Sequence, residues 1–262
     1  MNYSFMTFST PQLTLAENLA LAQQLGYAGI EPRISAGHAH GIEFDTPAEQ
    51  RAAIRRQAAD SGIALCCLAT SCRYADPATT QANTDDTLRS IDLAGDVGSP
   101  CLRVFGGNIP EGVSREQAAD LLVAALRAVA DQAQARGVTV CMETHDSWCD
   151  PAHVALVIER VNHPAIAVNW DIMHPIRVGG ATMDSAFNTL QPWIRHLHIH
   201  DGTKGDPLVM LPIGEGDIDH RRAIELLQTI NYSGFISGEW INWEPYETHL
   251  PRELAMLRGY EG

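Results

Sequence analysis

Four short apolar runs in the second half of the chain each stop on groups that bind metals or move protons. V-T-V-C-M-E-T-H-D (Val138–Asp146) closes on Glu143, His145 and Asp146. I-A-V-N-W-D-I-M-H closes on Asp171 and His174, I-R-H-L-H-I-H-D carries His196, His198, His200 and Asp201, and F-I-S-G-E-W reaches Glu239. A short β-branched run between helical patterns reads as a buried parallel strand. An unpaired carboxylate at the buried end of such a strand costs several kcal/mol, so it is not there for packing. Glu143 and Asp171 are 28 residues apart, Asp171 and His198 are 27 apart, and His198 and Glu239 are 41 apart. The first two steps are one strand–helix unit each. The third is longer by the glycine-containing loop Asp201–Asp217. Whatever this chain folds into must bring four strand ends to one place.

The rest of the chain repeats the unit. Strands are expected at Ser4–Phe8, Ala28–Pro32, Ile63–Thr70, Cys101–Phe105, Val138–Glu143, Ile166–Asp171, Ile194–His200 and Phe235–Glu239. Between them lie helical patterns at Thr14–Leu25, Pro47–Ser61, Asp85–Val97, Ser114–Arg136, Pro151–Val161, Met183–Leu190, Asp219–Ile230 and Tyr246–Arg258. Gly26, Gly62 and Gly137 stand where a left-handed residue closes a helix. Thr46 is placed to cap the helix opening at Pro47. Eight alternations in 262 residues, with no linker or low-complexity stretch, predict one (β/α)₈ TIM barrel spanning residues 1–262. A doubly wound sheet would need a glycine-rich phosphate turn after an early strand, and no G-x-G-x-x-G occurs.

In a TIM barrel the strand C-termini form the active face. Three carboxylates pressed together there would repel one another, and a divalent cation relieves the repulsion. The set Glu143, Asp171, His198 and Glu239 is oxygen-rich, which favours manganese or magnesium and also suits cobalt, iron or zinc. His196, His198 and His200 share one strand face by period two. His198 is the expected ligand because it lies one unit from Asp171, and His200 is expected to touch substrate.

Charge narrows the partners. The chain has 32 acidic and 18 basic residues, a formal net charge of −14, and Lys204 is its single lysine. No basic patch for nucleic acid is visible. No apolar run is long enough for a membrane helix. The N-terminus lacks the basic and apolar regions of a secretory signal, so a cytoplasmic location is the default expectation. Self-association is left open. The six cysteines, Cys66, Cys67, Cys72, Cys101, Cys141 and Cys149, form no C-x-x-C pair and are expected to be free thiols. His38 and His40, in the loop after the second strand, are expected to be solvent-exposed rather than a second metal site. Schiff-base chemistry would want a lysine on a barrel strand, and Lys204 lies in a loop.

Taken together and in order, E-T-H-D, W-D-I-M-H-P, H-L-H-I-H-D-G, G-E-G-D-I-D and G-E-W resemble the xylose-isomerase-like barrel superfamily of sugar-phosphate isomerases and epimerases. The resemblance runs from the G-I-E-P turn near Glu31 to Glu239. In ketose 3-epimerases of that superfamily, the equivalents of Glu143 and Glu239 bind the metal and move protons. The resemblance implies that Asp171 and His198 complete the coordination and that His174 contacts substrate. His145 is a further candidate for the substrate side, as is Lys204, which could meet a substrate carboxylate or phosphate, with a solvated loop lysine as the plainer reading. Arg103 matches a position that often faces substrate, and an ion pair inside the barrel is the equal alternative. The implied chemistry is proton abstraction beside a carbonyl on a sugar, sugar phosphate or keto-polyol, through an enediolate. Epimerisation, isomerisation and an inosose-type dehydration all fit that step. A three-zinc DNA-repair endonuclease branch needs extra histidines after strands three and four, where this chain reads C-C-L-A-T-S-C and L-R-V-F-G-G. A sugar-binding barrel without turnover would more naturally have lost one of the two glutamates.

Overall fold

The apolar runs form one parallel sheet wrapped into a barrel. The computed structural model describes residues 1–262. Its strands and helices follow in the order β1 (Asn2–Met6), α1 (Leu15–Leu25), β2 (Gly29–Glu31), α2 (Ala48–Ser61), β3 (Ala64–Leu65), β4 (Leu68–Arg73), α3 (Thr80–Val97), β5 (Cys101–Phe105), α4 (Arg115–Arg136) and β6 (Thr139–Glu143). Then come α5 (Pro151–Val161), β7 (Ile166–Asp171), α6 (Met173–Arg177), α7 (Met183–Leu190), β8 (Ile194–Ile199), β9 (Asp201–Gly202), β10 (Met210–Leu211), α8 (His220–Thr229), β11 (Phe235–Gly238) and α9 (Tyr246–Gly259). The main sheet has nine strands in the order β3-β2-β1-β11-β8-β7-β6-β5-β4. Its two ends are consecutive pieces of one chain, so the expected eight-stave barrel is there with its third stave in two parts.

The break falls at Cys66–Cys67. β3 pairs with β2 and β4 pairs with β5, so this stave changes neighbours partway along. Hydrogen bonds from Ala69 N to Pro32 O (2.9 Å) and from Ile34 N to Ala69 O (3.0 Å) close the ring across the break. The helix expected from Asp85 begins five residues earlier, at Thr80. Its polar start reads as loop, yet Thr84 and Thr87 turn their hydroxyls back onto the carbonyls of Thr80 and Asn83 and so sit comfortably inside a helix. Thr46 does not cap α2: its hydroxyl takes the Glu43 N–H and donates to Gly41 O instead. Gly26, Gly62 and Gly137 do close their helices in the left-handed conformation.

Two local devices shape the mouth of the barrel. β9 and β10 pair as an antiparallel hairpin within the Asp201–Asp217 loop. The buried Asp201 carboxylate organises that loop by accepting backbone N–H bonds from Gly202 (2.8 Å), Gly214 (2.8 Å), Gly216 (3.1 Å) and Ile218 (3.3 Å). A Cβ at Gly216 would lie 2.2 Å from an Asp201 oxygen, which explains the glycine. The G-E-W sequence has a similar cause, because a Cβ at Gly238 would lie 2.0 Å from the Trp240 ring.

The barrel interior is polar where branched aliphatics usually fill it. Ser4, Glu31, Arg103, Asn169, His196, His198 and Ser237 are all buried. Glu31 on β2 touches His196 and His198 on β8, with two strands between, so these side chains meet across the barrel. All six cysteines are free, and only Cys101 has partial exposure. No helix is long and apolar enough to cross a membrane.

Candidate active site

Parallel register brings the four residues near one end of the barrel: Glu143 lies opposite Asn169, two residues before Asp171; Asp171 lies opposite His198; and His198 lies opposite Ser237, two residues before Glu239. Ligand atoms of Glu143, Asp171, His198 and Glu239 all lie within 4.8 Å of one another, and all four residues are buried. His198 Nδ1 stands 3.0 Å from Glu143 Oε1 and 3.2 Å from Glu239 Oε2. Adjacent donors around an octahedral ion with arms of about 2.1 Å sit about 3.0 Å apart, so the spacing suits a small divalent cation. Three carboxylates and one imidazole could hold such an ion, and they carry more negative charge than Arg103 alone can balance.

Electrostatics point the same way. Burial works against a charged His198, but Glu31, Glu143 and Glu239 outweigh it and hold the imidazole well above its ordinary value. Burial would lift Glu239, yet His198 and Arg103 bring it down to about 2. Asp171, also fully buried, is held well below the usual carboxylate range by His200 and His174. Carboxylates thus face both ring nitrogens of His198, Glu31 at Nε2 and Glu143 with Glu239 at Nδ1.

A cavity of about 260 Å³ opens beside this cluster, lined by His145, His174, His200, Leu208, Met210, Glu239 and Ile241. Each histidine is oriented. His200 Nε2–H donates to Asp171 Oδ2 at 2.9 Å. His174, on α6, places Nε2 4.0 Å from the same oxygen. Its imidazole is depressed by burial. His145 pairs with Asp146 at 2.9 Å. Burial would lower the His145 pKa, but that hydrogen bond and the nearby Glu143 charge lift it to about 9. The three rings form a row, with centroids 4.4 Å apart for His145–His174 and 5.6 Å for His174–His200.

The other expected residues fall elsewhere. Arg103 is 1% exposed and does not line the cavity. Its Nε lies 3.1 Å from Glu143 Oε2, its Nη1 donates to Thr70 O at 2.7 Å, and its guanidinium stacks on Phe105. It therefore braces Glu143 from beneath. Lys204 sits in the exposed turn of the hairpin, away from the cavity lining. His40 is not the exposed loop residue expected: it is buried, bonds Arg33 O through Nε2, and accepts the Ile42 N–H on Nδ1. With both ring nitrogens taken by backbone, it holds the loop. His38 contacts Thr7. Reading the sequence did not assign a role to Glu31, although it ends a strand just as Glu143 does. It also missed Leu208, Met210 and Ile241, whose part in the cavity depends on how the hairpin folds over.

The sequence profile of a family described as xylose isomerase-like TIM barrel matches residues 19–260. Over 175 residues the chain is 25% identical to a 3-dehydroshikimate dehydratase of Bacillus anthracis, a match covering 60% of this chain and 61% of that one. Over 168 residues it is 23% identical to a 2-oxo-tetronate isomerase of Haemophilus influenzae, covering 59% and 62%. The chain thus spans about three fifths of the length of these two relatives. An L-ribulose-5-phosphate 3-epimerase of Salmonella paratyphi B is 26% identical over 256 residues, covering 93% of this chain and 87% of the epimerase. Among solved structures, the probable 3-DHS dehydratase AsbF of Bacillus anthracis superposes with a TM-score of 0.82 at 20% identity, covering 98% of this chain and 99% of that one. A D-psicose 3-epimerase determined in the presence of D-fructose gives 0.81 at 18% identity, covering 100% of both chains. At these identities the structural likeness speaks for the fold.

Proposed function

This chain belongs to the xylose isomerase-like TIM-barrel family, and we propose that within it the protein is a divalent-metal-dependent isomerase or epimerase of a small sugar or keto-polyol. One observation carries the reading: Glu143 and Glu239 flank His198 Nδ1 at 3.0 and 3.2 Å, beside Asp171 and at the edge of a cavity that three histidines also line. The four side chains would hold one ion, with manganese or magnesium best suited to the oxygen-rich set. Such an ion supplies Lewis-acid polarisation of a substrate carbonyl.

The chain's own groups then divide the work. Glu239 lines the cavity and is held ionised, so it is placed to take a proton from the carbon beside that carbonyl. Glu143 Oε2 lies 3.1 Å from the Arg103 guanidinium, an ion pair that sets the direction of its carboxylate. It serves as the second proton carrier if substrate reaches over Glu239. His174 and His200 turn Nε2 toward Asp171 and line the cavity with their rings, where they can contact substrate hydroxyls. Return of the proton to the opposite face gives the epimer, and return to the adjacent carbon gives the isomer.

A second reading has its own observation. His145, held protonated by Asp146, stands at the cavity wall and can give its proton to a departing β-hydroxyl. That arrangement would support dehydration, the activity named for one relative. Incubating the metal-loaded protein with a panel of keto-sugars and keto-polyols in deuterated water separates the two. Deuterium at the carbon beside the carbonyl with an epimer or isomer as product supports the first reading, and an unsaturated product supports the second. No deuterium exchange with any ketone, from a protein carrying its metal, would remove both.

A further inference from the structure

Glu31 is fully buried beneath the cavity, out of reach of any substrate. A carboxylate in that position needs partners for both oxygens. It has them. Oε1 accepts the His198 Nε2–H at 3.0 Å and Oε2 accepts the His196 Nε2–H at 2.8 Å. The opposite nitrogen of His198, Nδ1, is the atom that faces Glu143, Asp171 and Glu239.

We propose that Glu31 is a positioning residue for the metal centre, fixing the His198 ring and its tautomer so that Nδ1 presents its lone pair to the ion. An imidazole can ligate through Nδ1 only when the remaining proton sits on Nε2, and an acceptor at Nε2 selects that form. The same hydrogen bond makes the ligand nitrogen more basic and stops the ring from rotating. His196 completes the device by holding Glu31's second oxygen, so the carboxylate cannot swing away from His198. The chain of contacts runs His196, Glu31, His198, ion. This inference rests on the proposed reading of Glu143, Asp171, His198 and Glu239 as one metal site.

The same residues suggest a rival use. Ligand atoms of Glu31, Cys66 and His196 also lie within 4.8 Å of one another, as a deeper cation site would require. Two features favour the positioning role. Both Glu31 oxygens already accept imidazole protons. The Cys66 thiol donates to Ile30 O at 3.2 Å, and burial pushes its pKa well up, against the thiolate a metal needs.

The test compares manganese binding by calorimetry, and the visible spectrum of the cobalt-substituted protein, in wild type, Glu31→Gln and Cys66→Ala. Glu31→Gln should still bind one ion, roughly 10- to 100-fold more weakly. Its cobalt spectrum should shift, because the ring that ligates through Nδ1 now has a neutral amide in place of a carboxylate at Nε2. A merely structural Glu31 would lower thermal stability and leave affinity and spectrum in place, and that result overturns the proposal. Cys66→Ala should bind one ion as wild type does. Two ions in wild type and one in Cys66→Ala would establish the deeper site and overturn the proposal as well. Should Glu31→Gln fail to fold, His196→Gln removes the other anchor, and there a several-fold loss of affinity is expected and unchanged affinity counts against the idea. If wild type itself binds no divalent ion, the metal-site reading fails first, an outcome distinct from tight binding that is indifferent to Glu31.

Discussion

Replacing Arg103 by methionine tests how the site balances charge. The methionine keeps much of the side-chain stem and removes only the guanidinium. In the ion-free protein this leaves Glu143, which is 0% exposed, with His198 at Oε1 but no cation at Oε2, and takes the 2.7 Å donor from Thr70 O. Removing one partner of a buried ion pair typically costs about 3–5 kcal/mol. At roughly 2–4 °C per kcal/mol for a chain of this size, melting should fall by about 10 °C in the presence of a chelator. A bound divalent cation would then supply the positive charge that Glu143 has lost. The variant should bind manganese at least as tightly as wild type, and saturating manganese should recover a good part of the lost stability. The assay is chemical denaturation of wild type and Arg103→Met with chelator and with saturating manganese. A loss of the same size in both conditions would show that Glu143 does not share its charge with an ion. A loss below about 1 kcal/mol in chelator would refute the ion pair as a source of stability, since that is the range of a surface pair.

Three further outcomes follow from the same geometry. Glu239→Gln should lower turnover by about 10²–10⁴-fold, the usual range for losing a general base, while a manganese ion stays bound through the remaining oxygen; near-full turnover after loss of the ion would make the metal structural. Gly216→Ala should push the loop off the Asp201 carboxylate, because its Cβ would lie 2.2 Å from Oδ1; limited proteolysis should then cut between residues 201 and 217, and resistance equal to wild type would contradict the role given to Asp201. Burial brings His40 and His249 from 6.5 down to about 4, so between these values the unfolded chain binds more protons and stability falls as pH drops through the window. His249→Phe keeps a ring near Trp240 and Trp243 and should flatten that acid limb in denaturation curves; an unchanged slope would assign the acid sensitivity elsewhere.

The four strand-end residues were legible because each closes an apolar run and their separations count whole strand–helix units. Glu31 closes such a run too, and sequence alone does not distinguish a carboxylate of the proposed ion site from one that lies beneath it and bonds His198. That difference is one of depth in the barrel, set by which strand faces which across the interior. Arg103 was ambiguous for a related reason. Either of its expected uses points inward from β5, and only the position of Glu143 on the neighbouring strand decides that it braces an acid. Cys66 and Cys67 read as the middle of one strand, since their composition suits a buried strand equally well before and after the stave changes partners. The polar start of α3, ahead of Asp85, carries no helical signal because threonine hydroxyls compete with helix in general, and here they bond back into it. Lys204, Leu208 and Met210 belong to a loop whose shape comes from four backbone donors converging on Asp201, a long-range arrangement that no local pattern announces.

Anomalous diffraction from crystals grown with manganese tests the metal centre most directly. A single strong peak is predicted, within roughly 2–2.5 Å of a donor atom from each of Glu143, Asp171, His198 and Glu239, with His198 contributing Nδ1. A peak that misses any of the four, or one seated instead among Glu31, Cys66 and His196, would contradict the account.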